Sequence, residues 1–207
     1  TNVATRAEKG SGYAYDMLHK YLRKILFFNK NVYVLKIDIK KYFYNIDHKI
    51  VREKLKNDIK DVEALKLIYA SLDTTNEEYV NKEILRVKNN EIKRVRKLSI
   101  SEKEKIRKIN DIIKIPLYQK DKGLGIGNMT SQIIAVYYLN DVDHFIKEEL
   151  KCKYYIRYMD DLIILDTNYQ KLKKIMPIIE KRINMLNLEI NDKSRIIDLK
   201  RGFSFLG

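Results

Sequence analysis

Tyr155-Ile156-Arg157-Tyr158-Met159-Asp160-Asp161-Leu162-Ile163-Ile164-Leu165 sets two β-prone arms, Tyr154–Tyr158 and Leu162–Leu165, around a pair of aspartates. Aromatic and β-branched runs flanking a short polar centre predict a hairpin with Asp160 and Asp161 at its turn. Adjacent carboxylates held by apolar arms repel, and one would take up a proton unless a cation or basic group lies against them. A hard divalent cation with oxygen ligands resolves that cost. The stretch therefore predicts a metal site, and the rest of the chain must supply a third ligand and a substrate groove.

A second aspartate ends an apolar run. Asn31–Asp38 reads as a mostly buried strand that delivers Asp38 ahead of Ile39-Lys40-Lys41-Tyr42-Phe43. Taken alone, Asp38 is a helix cap or a ligand. If neighbouring antiparallel strands bring Asp38 to Asp160 and Asp161, three carboxylates hold two divalent cations roughly 3.5–4 Å apart, as in polymerases and nucleases. Mg2+ is the expected ion and Mn2+ its substitute.

The remaining chain reads as helices and loops around these strands. Thr1–Tyr13, with Arg6, Lys9 and Gly10, is a polar loop able to meet phosphate or simply to be solvated. Tyr15–Phe28 has helical apolar spacing. Asp47 and Asp61 cap two further helices. Between Lys82 and Lys108, eleven Lys/Arg face four Glu. That excursion is either a solvated segment or a basic arm over a nucleic-acid backbone. Gly123-Leu124-Gly125-Ile126-Gly127-Asn128 lets backbone approach a ligand closely before one long helix, capped by Asn128 or Thr130. No Gly-Lys-Ser/Thr follows, so it is not a P-loop. Leu172 to Leu186 is helical, with Pro177 expected to start, kink or split it. Asn187–Asn191 reads as a short strand and Gly202–Gly207 as the start of a final hairpin.

The net charge of +14 and pI of about 9.6 favour a polyanionic partner, with nucleic acid the usual one. Cys152 is the only cysteine, which excludes an internal disulfide and a multi-cysteine zinc cluster. No apolar run reaches the roughly 18 residues of a membrane span, and no signal peptide is visible. A cytoplasmic protein of a bacterial or phage-infected cell, without membrane contact, is expected. Thr1 and the apolar run ending at Gly207 read as cut ends of a longer protein.

Taken in order, these stretches resemble the reverse transcriptases, RNA-directed DNA polymerases with a right-hand fold. Val34–Phe43 resembles the first palm motif of that family. Gly123–Gln132, continuing through Ala135, Tyr138-Leu139-Asn140 and Asp143, resembles the second, and Tyr158-Met159-Asp160-Asp161 the third. Leu188–Lys193 resembles the fourth and Phe203–Gly207 the primer grip.

The resemblance implies an α+β fingers–palm fragment with an antiparallel palm sheet backed by helices and the thumb missing. Residues 31–43 and 123–207 would be mainly palm. Residues 1–30 and 44–122 would be mainly fingers-side and helical, with the basic excursion at 82–108. The fingers hairpin with basic triphosphate ligands would precede Thr1.

Site roles follow from the same resemblance. Asp38, Asp160 and Asp161 would bind the metals with the Ile39 carbonyl, and Lys193 would be the general acid. Lys41, Tyr42, Phe43, Ile126, Gly127 and Gln132 would line the nucleotide site, with Phe43 rejecting a ribose 2′-hydroxyl. Phe205, Leu206 and Gly207 would grip the primer. The partners implied are an RNA template, a DNA or RNA primer, deoxynucleoside triphosphates and an accessory protein.

The second motif is nearest to enzymes of diversity-generating retroelements, with Gly125 where those carry proline. Other reverse transcriptases, the group II intron enzymes among them, carry glutamine where Ile126 stands. The rivals are a template-independent or antiphage polymerase of the same family, a nucleic-acid-binding module without chemistry, and a metal nuclease. An apolar Ile126 removes a hydrogen bond near template and nucleotide, which relatives with this feature combine with inaccurate copying at adenines. Steady-state misincorporation opposite template adenine should fall sharply in Ile126→Gln, and an unchanged rate would remove that reading.

Overall fold

The computed structural model describes residues 2–5 and 9–206. Arg6 and Gly207 lie outside the described residues. The helices are, in chain order, α1 (Ser11–Phe28), α2 (Tyr42–Asn45), α3 (His48–Asp58), α4 (Val62–Asp73), α5 (Glu78–Arg96), α6 (Glu102–Ile113), α7 (Met129–Tyr138), α8 (Asn140–His144) and α9 (Tyr169–Asn184). The strands are β1 (Tyr33–Asp38), β2 (Tyr154–Tyr158), β3 (Asp161–Asp166) and β4 (Arg195–Asp198). Two compact units result, one of residues 1–46 with 126–207 and one of Asp47–Gly125.

The first unit carries a four-stranded sheet in the order β2-β3-β1-β4, with every neighbouring pair antiparallel. The predicted hairpin forms as β2 and β3, joined by a tight turn at Met159 and Asp160. Antiparallel sheets often leave one face to water. Here the Leu162–Leu165 run is buried throughout, because each face has its own helical cover. On one face Val34, Ile156, Ile163 and Leu165 pack with Ala14, Leu18 and Ile25 of α1. On the other face α9 crosses β1, β3 and β4. Its buried stripe is Leu172, Ile175, Ile179 and Ile183, the i, i+3, i+4 pattern of an amphipathic helix.

Several expectations are corrected. Pro177 neither starts nor splits α9. It is exposed, as is Lys173 four residues earlier, so the carbonyl that loses its helical donor faces water. The long helix after the glycine loop is interrupted at Leu139 and ends in a π-helical turn over Phe145–Glu149. Leu139, Val142 and Ile146 are buried on one face, and Asp143 is buried among them. Residues 188–191 contribute one bridge, Ile39 to Ile190, rather than a strand. The last strand is β4, and no strand follows Gly202 among the described residues.

The second unit is helical. Asp47 caps α3 by accepting the Lys49 and Ile50 N–H groups, and Asp61 caps α4 in the same way. His48 and Thr75 meet the Gly123 carbonyl in its interior. The basic excursion is ordered as a helical hairpin of α5 and α6, in which Lys88 donates to the Ile113 and Ile115 carbonyls at the end of α6. Among the described residues no helix is long and apolar enough to cross a membrane.

Candidate active site

The strand register brings the three aspartates to one end of the sheet. Asp38, the last residue of β1, lies opposite Asp161, the first of β3, and Asp160 occupies the adjoining turn. Asp38 is not a helix cap. The residue before α2 is Lys41, which adopts a left-handed conformation with φ +46°.

The carboxylates differ in their surroundings. Burial, then the charge of Asp161, pushes the Asp38 carboxyl above its usual range. Lys36, a hydrogen bond from Asn191 and the charge of Lys193 oppose that rise. Asp160 is pushed up to about 6, by burial first and also by Asp38 and Asp161. Asp161 is turned toward a cation, with Oδ1 3.3 Å from Lys36 Nζ. That atom is buried and lacks an aligned hydrogen-bond donor. Its other oxygen accepts the Leu206 N–H at 3.4 Å. Like charges repel, so pairing with Lys36 splays the cluster. Among the described residues no three acidic, histidine or cysteine side chains converge closely enough to hold an ion by themselves.

A buried network sets the hairpin's geometry. Arg157 on β2 is fully buried, and its Nε and Nη2 donate to the two oxygens of Asp143 at 2.8 and 2.7 Å. Asp143 also accepts the Tyr155 hydroxyl at 2.6 Å. Burial favours the neutral form of Arg157, but the Asp143 carboxylate outweighs it and the guanidinium stays charged. Its two remaining contacts go to main chain: Nη2 to the Val136 carbonyl and Nη1 to the Met159 carbonyl, each 3.0 Å. Met159 has φ +52°. A left-handed residue with a side chain costs about 1–2 kcal/mol, and the Arg157 contact holds it beside Asp160.

One turn of α7 also receives the other half of the site. The Tyr42 hydroxyl donates to the Ala135 carbonyl, next to the Val136 carbonyl that Arg157 uses. Tyr42 is therefore a buried anchor, and only its backbone remains for a nucleotide. Phe43 is half-buried, edge-on to Tyr42 with 5.8 Å between ring centres. The Ile39 side chain is buried, which leaves its carbonyl oxygen as the group able to act as a ligand. Ile126 is 66% exposed at the entrance to α7. Gly127 has φ +94°, a conformation that a side chain would strain. Asn128 caps α7, and Gln132 is half-buried in its second turn. Lys193 is exposed in the turn after Asn191, with its charge felt at Asp38.

Phe205, expected in the primer grip, is held by packing and by its main chain. Its ring is buried in the α1 cluster and its carbonyl accepts the Tyr15 hydroxyl at 2.7 Å. Lys36 donates to the neighbouring Ser204 carbonyl, so one lysine bridges this segment and Asp161. Sequence reasoning missed Arg157 and Lys36. The available signal was a charged residue at a position that the strand pattern buries.

Removing Arg157 leaves Asp143 buried without its cation, so Arg157→Ala should destabilise the protein by about 3–5 kcal/mol in urea unfolding. Arg157→Lys should recover part of that loss. The raised pKa of Asp160 means that the folded state holds its proton more tightly than the unfolded state does. Stability should therefore fall as pH rises from about 4 through about 6. Asp160→Asn should gain about 1–3 kcal/mol over the parent at pH 7–8 and nothing at pH 4, measured with a chelator present. Equal stabilities at both pH values would contradict this account of the site.

Comparison with known proteins bears on the family and the fold. Residues 13–207 match the family model described as reverse transcriptase (RNA-dependent DNA polymerase). No curated protein matches the chain. Among solved structures, apo telomerase from Candida tropicalis superposes with a TM-score of 0.52 at 16% identity, covering 100% of this chain and 35% of that one. A form of that telomerase truncated from its C-terminal domain gives a TM-score of 0.46 at 17% identity, covering 100% of this chain and 37% of that one. The chain thus spans about a third of the length of the proteins it resembles, and likeness at this identity speaks to fold. The match of nearly the whole chain to the family model places it in the reverse transcriptase family.

Proposed function

We propose that the chain is the fingers–palm part of an RNA-directed DNA polymerase that adds deoxynucleotides to a primer 3′ end on an RNA template. The observation that carries this reading is the pairing of Asp38 with Asp161 at one sheet end, with Asp160 in the adjoining turn. A binding module gains nothing from three acids facing phosphate, since each would repel it.

Asp38, Asp160 and Asp161 with the Ile39 carbonyl would hold two Mg2+ ions, Mn2+ substituting. The donors suit such ions. All are oxygens, Asp161 Oδ1 is buried without a hydrogen-bond donor, and burial and mutual repulsion disfavour the charges of Asp38 and Asp160. Bound there, the ions would acidify the primer hydroxyl and neutralise charge on the triphosphate.

The chain's own groups do the rest. The left-handed backbone at Lys41 and the N–H of Tyr42 face the triphosphate. Phe43 stands where a ribose 2′-hydroxyl would clash. Lys193, exposed and near Asp38, gives a proton to the pyrophosphate leaving group. Ile126 and Gly127 border the template base without offering a side-chain hydrogen bond, which fits an error-prone enzyme of a diversity-generating retroelement. Leu206 positions the primer end.

Primer extension on poly(rA)–oligo(dT) with Mg2+ tests the proposal. The parent should extend the primer, and Asp160→Asn should lose at least about 1,000-fold in rate, comparable to loss of a major electrostatic contributor. Mg2+ should raise the melting temperature of the parent more than that of Asp160→Asn. Tight duplex binding without extension by either protein, with accessory partners supplied, would sink the polymerase reading and favour a binding module.

A further inference from the structure

At the C-terminal end of α1, Phe27 and Phe28 are each 81% exposed, their rings edge-to-face with centres 4.7 Å apart. They line a groove of about 420 Å³ together with Arg23, Lys24, Lys153 and Tyr154. No acid lines it. Lys153 stands over the Tyr154 ring, 5.4 Å from its centre. A smaller extension continues past Lys24 and Lys153 to Asp166, whose carboxylate is paired with Lys171 at 2.7 Å. The acid that lines this extension among the described residues is thus paired with a lysine of its own.

This surface is separate from the carboxylates. Tyr154 pairs with Leu165 at one end of the hairpin and Tyr158 with Asp161 at the other. Four residues at ~3.3 Å each place the groove about 13 Å down the strands from the aspartates. Tyr154 also packs against the core, edge-on to Tyr21, but packing does not explain the two phenylalanines. α1 buries Ala14, Leu18 and Ile25 against the sheet, while Phe27 and Phe28 project beyond that contact.

From this we infer that the groove at Phe27, Phe28 and Tyr154 is a docking site for single-stranded RNA. Exposed rings offer stacking platforms for unpaired bases, and the three flanking cations meet the phosphates. Duplex nucleic acid hides its base faces and would leave the phenylalanines unused. The choice of RNA rests on the polymerase reading, since the unpaired strand that such an enzyme handles is its template.

Fluorescence anisotropy with a labelled 12-mer oligo(U), plus photocrosslinking of the same oligomer, tests the site in the intact protein. All substituted positions are at the surface, so folding is checked by melting temperature alone. Phe27→Ser with Phe28→Ser should weaken binding at least ten-fold, and crosslinks should fall on Phe27, Phe28 or Tyr154. Lys24→Glu with Lys153→Glu should weaken binding and lower the salt dependence by about two charges. Unchanged affinity in the phenylalanine variant, crosslinks confined to other surfaces, or equal displacement of the RNA by polyglutamate would overturn the inference. The last outcome would assign the groove to an acidic protein. The two readings fail separately. A parent that binds oligo(U) through Phe27 and Phe28 but never extends a primer keeps the groove and loses the polymerase. Extension by the parent with binding unaffected in the variant does the reverse.

Discussion

The ion pair between Arg157 and Asp143 is the contact on which the site's geometry depends. Burying two charges costs several kcal/mol each, and a well-packed apolar pair of similar volume is often as stable. The pair's contribution is therefore better sought in orientation. Arg157 spends two donors on Asp143 and two on the carbonyls of Val136 and Met159. An aliphatic side chain could fill that space but could not tie α7 to the hairpin turn. Tyr42 does the matching work for the end of β1, through the adjacent carbonyl of Ala135. Both acid-bearing segments are thus referenced to one turn of one helix, and that helix begins at the glycine loop.

Electrostatics then separates the three aspartates that the sheet brings together. Asp161 has a cation within reach, whereas Asp160 sits in the turn with main-chain contacts and the more distant Arg157 charge as its relief. Asp38 has Lys36, Asn191 and Lys193 working against burial. The order of burial and pairing, more than sequence adjacency, decides which carboxylate resists ionisation. Two neighbouring residues of one motif consequently carry different chemistry. Asp160 is the group whose charge most needs compensation, and Asp161 is the one already partly compensated by the protein.

Much of this was legible in the chain. The apolar arms around Asp160 and Asp161 specified a hairpin, and the run ending at Asp38 specified a strand, because β-branched and aromatic residues dominate both. The caps at Asp47, Asp61 and Asn128 were readable from their chemistry. What local pattern could not show was long-range choice. Leu188–Asn191 looks like a strand, yet the edge of the sheet beside β1 goes to Arg195–Asp198. Residues 188–191 supply instead a bridge and the N–H that meets the Asp38 carbonyl. The packing of the Phe205 ring against α1 is another long-range choice that its neighbours in the chain do not show. Arg157 was hidden for the opposite reason. Its partner Asp143 is fourteen residues away, and a single carboxylate among the apolar positions of its helix face does not announce a buried pair.

The basic hairpin of α5 and α6 shows how order changes the meaning of charge. Three of the four glutamates between Lys82 and Lys108 pair with a cation three residues on, as in Glu83–Arg86, Glu91–Arg94 and Glu102–Lys105. Exposed pairs of that kind add little stability. The hairpin is held instead by Lys88 at the end of α6 and by the reciprocal bonds of Asn81 with the main chain of Tyr118. The surplus cations are thereby mounted on a formed scaffold. A disordered basic tail must lose chain entropy when it meets a polyanion. Helices that are already folded avoid most of that cost, so the same number of charges attracts a nucleic-acid backbone with less opposed free energy.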